Sequence, residues 1–358
     1  MREARSVEEL IEAWDGLGVV SRFDRGSGAW FFIALHDDTL GRPTGGTRMH
    51  VYPTPGAGLL DAMRLAQGMT DKWAVSGVPF GGGKAVLALP GPLAGEARRA
   101  MLRRYGRLVD SLQGAFATGE DLGTTIADML EIAAVTRWVL GGHGGDGVLA
   151  DPGPYTAHGV VCAIRAAAAR AFGADDLADR RVLIQGVGDV GAPLARELAA
   201  AGAVPLLADR DAARVRALAT ELGAATVAAE AVYETPCDVF APCAVGAVLN
   251  GDTIPRLACR VVAGSANNQL AADDDAEALH RRGILYAPDY VANAGGAIAF
   301  GRLAEAPHSP REDLMERVDR IRGILDEVLA EAAACNESPL HAARRRVRRI
   351  LEAARAAA

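Results

Sequence analysis

Apolar positions along this chain keep two rhythms, one near every second residue and one near every 3.6, and their succession predicts strands alternating with helices. Trp30-Phe31-Phe32-Ile33-Ala34-Leu35 has the length and apolar density of a strand. Leu59, Ala62, Met63, Ala66, Met69 and Trp73 fall on one face of a helix running to Ser76, and Lys72 borders that face. Beyond Gly81-Gly82-Gly83, the run Ala85-Val86-Leu87-Ala88-Leu89 reads as a strand halted by Pro90, so that Lys84 is expected where a loop enters a strand. Residues 94–112 and 125–140 read as helices.

Between residues 141 and 154 glycine and proline crowd together, in His143-Gly144-Gly145-Asp146-Gly147 and Asp151-Pro152-Gly153-Pro154, and a domain boundary is expected near Asp151. A helix over 156–171, a strand at Arg181-Val182-Leu183-Ile184-Gln185, a glycine turn, a helix to Ala201 and a strand at Val204-Pro205-Leu206-Leu207-Ala208 follow. Short apolar runs at 238–240 and 261–263 continue the alternation, which is the mark of parallel βαβ units. The expected organisation is α/β, with one domain over 1–150, a second over 151–305 and a charged helical segment over 306–358.

A length of 358 residues suits two folding units, and a chain that is 50% hydrophobic and 23% charged is globular in composition. The net charge of -7 argues against general nucleic-acid binding, which needs a positive surface. Arg344, Arg345, Arg346, Arg348 and Arg349 form a basic cluster, read here as a solvated or subunit-contacting helix face. The five cysteines, Cys162, Cys237, Cys243, Cys259 and Cys335, are odd in number and contain no C-x-x-C pair, which fits reduced thiols in the cytoplasm. The seven histidines are scattered, and no metal is expected. The start of the chain lacks the apolar core of a signal peptide, and no apolar run reaches the roughly 20 residues of a membrane helix, so a soluble protein is expected.

Gly186-Val187-Gly188-Asp189-Val190-Gly191 matches G-x-G-x-x-G, a weak signal alone in a chain with 41 glycines. Its context strengthens it, because it follows an expected strand, opens an expected helix, and precedes Asp209 at the end of the next strand. Backbone amides at that helix start would approach a pyrophosphate, and Asp209 would accept hydrogen bonds from the adenosine ribose. Its carboxylate would repel a 2'-phosphate, favouring NAD, while Arg210 beside it leaves NADP as the alternative.

Candidate chemistry lies in the first half. Lys72 sits in Gln67-Gly68-Met69-Thr70-Asp71-Lys72-Trp73, Lys84 follows the glycine triplet, and the acids Glu120 and Asp121 lie in Thr118-Gly119-Glu120-Asp121-Leu122-Gly123-Thr124. Two ammonium groups held close repel and burial strips their water, so one pKa falls toward neutrality. One lysine could then hold a substrate carboxylate while the other acts as base and the acid moves protons.

These segments, with Gly45-Gly46-Thr47-Arg48-Met49, Asp238-Val239-Phe240-Ala241-Pro242-Cys243-Ala244, Ala263-Gly264-Ser265-Ala266-Asn267-Asn268-Gln269 and Tyr286-Ala287-Pro288-Asp289-Tyr290-Val291-Ala292-Asn293-Ala294-Gly295-Gly296, closely resemble the leucine, valine and phenylalanine dehydrogenases of the glutamate dehydrogenase superfamily. The resemblance is collinear over nearly the whole chain. It implies a substrate domain, a Rossmann-type NAD-binding domain and C-terminal helices returning to the first domain. The implied activity is reversible, NAD-dependent oxidative deamination of a hydrophobic L-amino acid to the 2-oxo acid and ammonia, by a homo-oligomer. In that pattern Lys72 binds the substrate carboxylate, Lys84 activates water, and Asp121 shuttles protons. Gly45, Gly46 and Met69 line the substrate site, Asn267 lies where nicotinamide and substrate meet, and Thr156 lies beside the nicotinamide ribose. Cys243 and Ala244 join the cofactor-binding set.

Thr44, His50 and Asp71 depart from the residues usual in those enzymes, and the side-chain pocket is expected to differ accordingly. Small Ala297 and Ala117 would leave room for an aromatic ring, whereas Phe300 would fill it and favour an aliphatic chain. A hydrophobic pocket discriminates by only about 1–3 kcal/mol per methylene, so several amino acids are expected to be accepted. The alternatives are a glutamate-type or NADP-linked dehydrogenase, and a non-catalytic homologue that binds amino acid or dinucleotide.

Overall fold

The computed structural model describes residues 7–140 and 151–357. The cluster His143-Gly144-Gly145-Asp146-Gly147 and the first six residues lie outside them. The chain divides into two compact units: one gathers the residues up to Asp151 with Leu303–His308 and the chain from Ile350, the other Pro152–Arg302 with Ser309–Arg349.

In the first unit the chain runs α1 (Val7–Trp14), β1 (Gly18–Asp24), β2 (Ala29–Asp37), β3 (Pro43–Val51), α2 (Pro55–Ser76), β4 (Gly81–Leu89), α3 (Gly95–Ser111), β5 (Ala117–Glu120) and α4 (Ile126–Ala133). The sheet order is β1-β2-β4-β3-β5. β2 is antiparallel to β1 and β4, and β3 is parallel to β4 and β5. All of β4 is buried. On one face Val86 and Ala88 pack with Phe32, Ala34 and the α2 residues Ala62, Met63 and Ala66. On the other, Ala85 and Leu87 pack with Phe31, Ile33, Met101, Leu102, Tyr105, Met129 and Ile132. A strand covered on both faces reads as a continuous apolar run, which is why its sequence gave no alternation.

Three local expectations change. The glycine triplet is strand, not loop: a Cβ on Gly82 would strike the Thr70 hydroxyl and come within 2.6 Å of the Ala66 carbonyl, so glycine is what lets α2 lie directly on β4. Lys84 is therefore interior to the strand, and the period of two puts it on the α2 face with Gly82 and Val86. Helix α2 begins at Pro55, capped by the Thr54 hydroxyl on the Ala57 amide, ahead of the apolar stripe because its first residues, Pro55 and Gly56, are exposed. Helix α4 stops at Ala133. There the Thr136 hydroxyl bonds Asp110 and takes the Trp138 amide, a local alternative to helix, and Thr118 bridges Val139.

The second unit contains α5 (Gly153–Phe172), β6 (Arg181–Gln185), α6 (Gly191–Ala200), β7 (Val204–Ala208), α7 (Ala212–Leu222), β8 (Ala225–Thr226), β9 (Val239–Pro242), β10 (Val261–Val262), α8 (Asp274–Arg281), β11 (Leu285–Tyr286), α9 (Asp289–Ala292), α10 (Gly295–Glu305), α11 (Arg311–Val318), α12 (Arg320–Cys335) and most of α13 (Pro339–Ala357). Its six strands are all parallel, in the order β11-β10-β9-β6-β7-β8. This is the doubly wound Rossmann order, with its reversal between β6 and β9, where such sheets open a crevice at the carboxyl ends of the strands.

The 306–358 segment is not a separate body. Helix α12 packs along α5, and Arg344 of α13 holds Asp273 with contacts of 2.5 and 2.7 Å. The last turns instead join the first unit, where Arg355 reaches Asp37 at 2.7 Å and Thr39 at 3.2 Å. Within the basic cluster, Arg345 and Arg349 pair with Glu331, and Arg346 with Glu327. Among the described residues, no helix is long and apolar enough to cross a membrane.

Candidate active site

The first unit brings five of the proposed residues to one place. Pairing of Thr44 with Gly82 and of Thr47 with Ala85 carries Gly45 and Gly46 past Gly83 and Lys84, and pairing of Gly46 with Gly119 carries them past the end of β5. A Cβ on Gly45 would collide with the Gly83 carbonyl and lie 3.1 Å from Met69 Cγ. One on Gly46 would lie 2.8 Å from Asp121 Cβ. Both glycines are thus required by close approach. Lys72 follows Met69 on α2, half-buried, its carbonyl accepting a 2.6 Å bond from the Ser76 hydroxyl.

Lys84 is 4% exposed, and its Nζ lies 3.1 Å from Asp121 Oδ1. The other carboxylate oxygen accepts a 3.0 Å bond from Arg48 Nε. Burial drives the Lys84 pKa below its usual value, against the pull of Asp121 and with repulsion from Arg48. Burial alone would raise Asp121, but the charges of Lys84 and Arg48 prevail and hold it down at about 2. The turn after β5 fixes this carboxylate: the Asp121 amide donates to the Thr124 hydroxyl at 3.0 Å, and Gly123 takes a φ of 82°.

Sequence reasoning missed the residues behind this pair. Arg48 also donates to Asp61 Oδ2 at 3.0 Å, and Asp61 takes bonds from Tyr52 at 2.6 Å and Arg64 at 2.8 Å. The positive charge of Arg48 adds a repulsion that lowers the Lys84 pKa. One signal was available: Lys72 and Lys84 are the only two lysines among the 38 lysine and arginine residues.

In the second unit the glycine turn has the expected build. Gly186 has a φ of 99°, and a Cβ there would lie 2.7 Å from Ala244 Cβ. A Cβ on Gly191 would strike the Gly186 carbonyl, whereas one on Gly188 would meet only Arg214 Nη1, at 3.7 Å. The first and third glycines thus serve the turn and helix packing, and the second leaves the backbone approachable, as pyrophosphate binding requires. Val187 is buried, Val190 half-buried and Asp189 exposed. Asp209 accepts the Val187 amide at 2.8 Å and the Asp211 amide at 3.0 Å, and burial notwithstanding these bonds lower its pKa. Arg210 is exposed beside it. The Cys243 amide donates to the Gln185 carbonyl at 2.7 Å, which sets Cys243 and Ala244 at the reversal of strand order.

Further along, the exposed Asn267 accepts a 2.8 Å bond from Asn293 Nδ2, another residue the sequence did not single out. The Thr156 hydroxyl donates to the Pro152 carbonyl at 3.0 Å, and a Cβ on Gly296 would lie 2.8 Å from it. On α10 Ala297 is half-buried and Phe300 is buried, and Ala117 is buried in the first unit.

A six-stranded Rossmann sheet with a glycine turn and an acid at the next strand defines a dinucleotide-binding fold, here joined to a unit carrying a buried lysine–carboxylate pair. Residues 22–138 match the Glu/Leu/Phe/Val dehydrogenase dimerisation domain and residues 206–356 the glutamate/leucine/phenylalanine/valine dehydrogenase domain. Leucine dehydrogenase of Bacillus cereus is 41% identical over 90% of this chain and 87% of its own length. Phenylalanine dehydrogenase of Lysinibacillus sphaericus is 38% identical over 91% and 86%. The crystal structure of L-tryptophan dehydrogenase from Nostoc punctiforme superposes with a TM-score of 0.80 at 33% identity, over 98% of this chain and 99% of that one. The chain belongs to the Glu/Leu/Phe/Val dehydrogenase family, an oxidoreductase family acting on amino acids.

Proposed function

We propose that this protein catalyses the reversible, NAD-dependent oxidative deamination of a hydrophobic L-amino acid to its 2-oxo acid and ammonia. The observation that carries the reading is the buried pair of Lys84 and Asp121, 3.1 Å apart against Gly45 and Gly46, in a chain of this family. Lys72 holds the substrate carboxylate. Asp121, a carboxylate at neutral pH with its pKa near 2, accepts a proton from the substrate ammonium and later returns it to the departing nitrogen. Lys84, its pKa lowered, takes a proton from the water that attacks the imine carbon. Gly45, Gly46 and Met69 bound the substrate, with Ala117, Ala297 and Phe300 shaping its side-chain pocket.

The glycine turn 186–191, Asp209, Arg210, Thr156, Cys243, Ala244 and Asn267 would hold the dinucleotide, whose nicotinamide supplies hydride acceptance. Asp209, oriented by two backbone amides, supports NAD over NADP. The dimerisation-domain match over 22–138 supports a homo-oligomer, and five free cysteines suit the cytoplasm. Recording NADH absorbance with leucine, valine, isoleucine, phenylalanine, tryptophan and glutamate tests the reading. Turnover is expected with at least one nonpolar substrate and little with glutamate; activity confined to glutamate refutes it.

A further inference from the structure

We propose that His158, Cys162 and Asp319 form a binding site for a divalent transition metal of the zinc class, with Glu197 orienting the histidine. His158 and Cys162 are four residues apart on α5, so both side chains leave the same face of that helix. Asp319 lies at the junction of α11 and α12. One donor atom from each of the three falls within 4.8 Å of the others. His158 Nε2 is 2.7 Å from Asp319 Oδ1, and Cys162 Sγ is 3.5 Å from the same oxygen.

The donor set is what distinguishes this cluster from an ordinary ion pair. A thiol, an imidazole and a carboxylate together match the mixed sulfur, nitrogen and oxygen ligation that zinc accepts. His158 Nδ1 faces Glu197 Oε1 at 2.5 Å, the carboxylate–histidine arrangement that fixes the tautomer and aims Nε2 at a metal. Tetrahedral bonds of about 2.0–2.3 Å place ligand atoms roughly 3.2–3.7 Å apart, so the imidazole–carboxylate contact must open by about half an ångström. The Asp319 side chain, 60% exposed, can make that movement, while Cys162 and His158 are held by their helix. Three protein ligands leave a fourth position for water, and the bound ion would tie α5 to the start of α12. Nothing in the dehydrogenase reading uses these residues.

Cobalt(II) alone is the probe. The full-length protein, treated with chelator and desalted, is titrated with Co2+ and followed by absorption. One equivalent per chain is expected to develop a thiolate-to-cobalt charge-transfer band with intense tetrahedral visible bands, both lost on adding Zn2+. Cys162→Ser is expected to abolish the charge-transfer band, and Glu197→Gln to weaken binding about 10- to 100-fold, with circular dichroism reporting that both variants remain folded. Absence of stoichiometric binding would reduce the cluster to a proton-bridged ion pair and overturn the proposal. A band that survives Cys162→Ser would overturn it too, by moving the site to other thiols, such as Cys237 and Cys259, which contact each other.

Discussion

Replacing Asp121 by Asn isolates the electrostatics of the buried pair, because the amide keeps the shape and removes the charge. With Nζ 3.1 Å from the carboxylate, the charge–charge attraction is about 5 kcal/mol at an effective dielectric constant of 20. Its loss lowers the Lys84 pKa further, because burial and the charge of Arg48 then act without that attraction to oppose them. In the variant, Arg48 continues to repel the Lys84 proton, and of the two carboxylates only Asp61 remains to attract it. Because the chain has two lysines, protein labelled with 13C in lysine alone gives two side-chain signals, assignable with Lys72→Arg. Their pH titration by NMR should place wild-type Lys84 below the ordinary lysine value and the variant lower again. A Lys84 midpoint unmoved by the substitution would refute the assignment of this pair as an electrostatic unit.

Lys84→Arg keeps the charge but cannot deprotonate, and should lower kcat by about 10²- to 10⁴-fold; a variant with near-normal turnover would remove Lys84 as the base. Gly82→Ala forces a methyl group into Thr70 and the Ala66 carbonyl, and should cost about 1–3 kcal/mol in urea unfolding while raising KM through displacement of α2. Asp121 has a folded pKa near 2 against an ordinary 3.8, so the unfolded chain binds its proton first as pH falls. Its stabilisation of about 2 kcal/mol is present above pH 4 and drains between about 4 and 2, and the difference in unfolding free energy between wild type and Asp121→Asn should shrink over that window. Asp209→Ser removes the carboxylate that would repel a 2'-phosphate, and should raise NADP use relative to NAD at least about 10-fold; an unchanged ratio would exclude Asp209 from that role.

What could be read from the sequence was whatever depends on local spacing. The βαβ succession, the glycine turn and the stripe of α2 follow from periods of two and 3.6, and the structure has each of them. What could not be read depends on residues meeting across the sheet. The glycine triplet looks like a loop because nothing local says that a helix will lie on it, and Arg48 looks like ordinary surface chemistry because its partner Asp121 is 73 residues away, while Tyr52 and Arg48 meet on Asp61. The choice of cation carries the remaining information. Guanidinium cannot be deprotonated in a protein, whereas an ammonium yields its proton when buried. A chain that meets nearly every demand for positive charge with arginine, including the partners of Glu331, Glu327, Asp273 and Asp37, keeps lysine at two positions, one of them sealed inside β4. Arginine would serve an ion pair with Asp121 as well or better; only a reaction that needs the proton to leave gives lysine an advantage there.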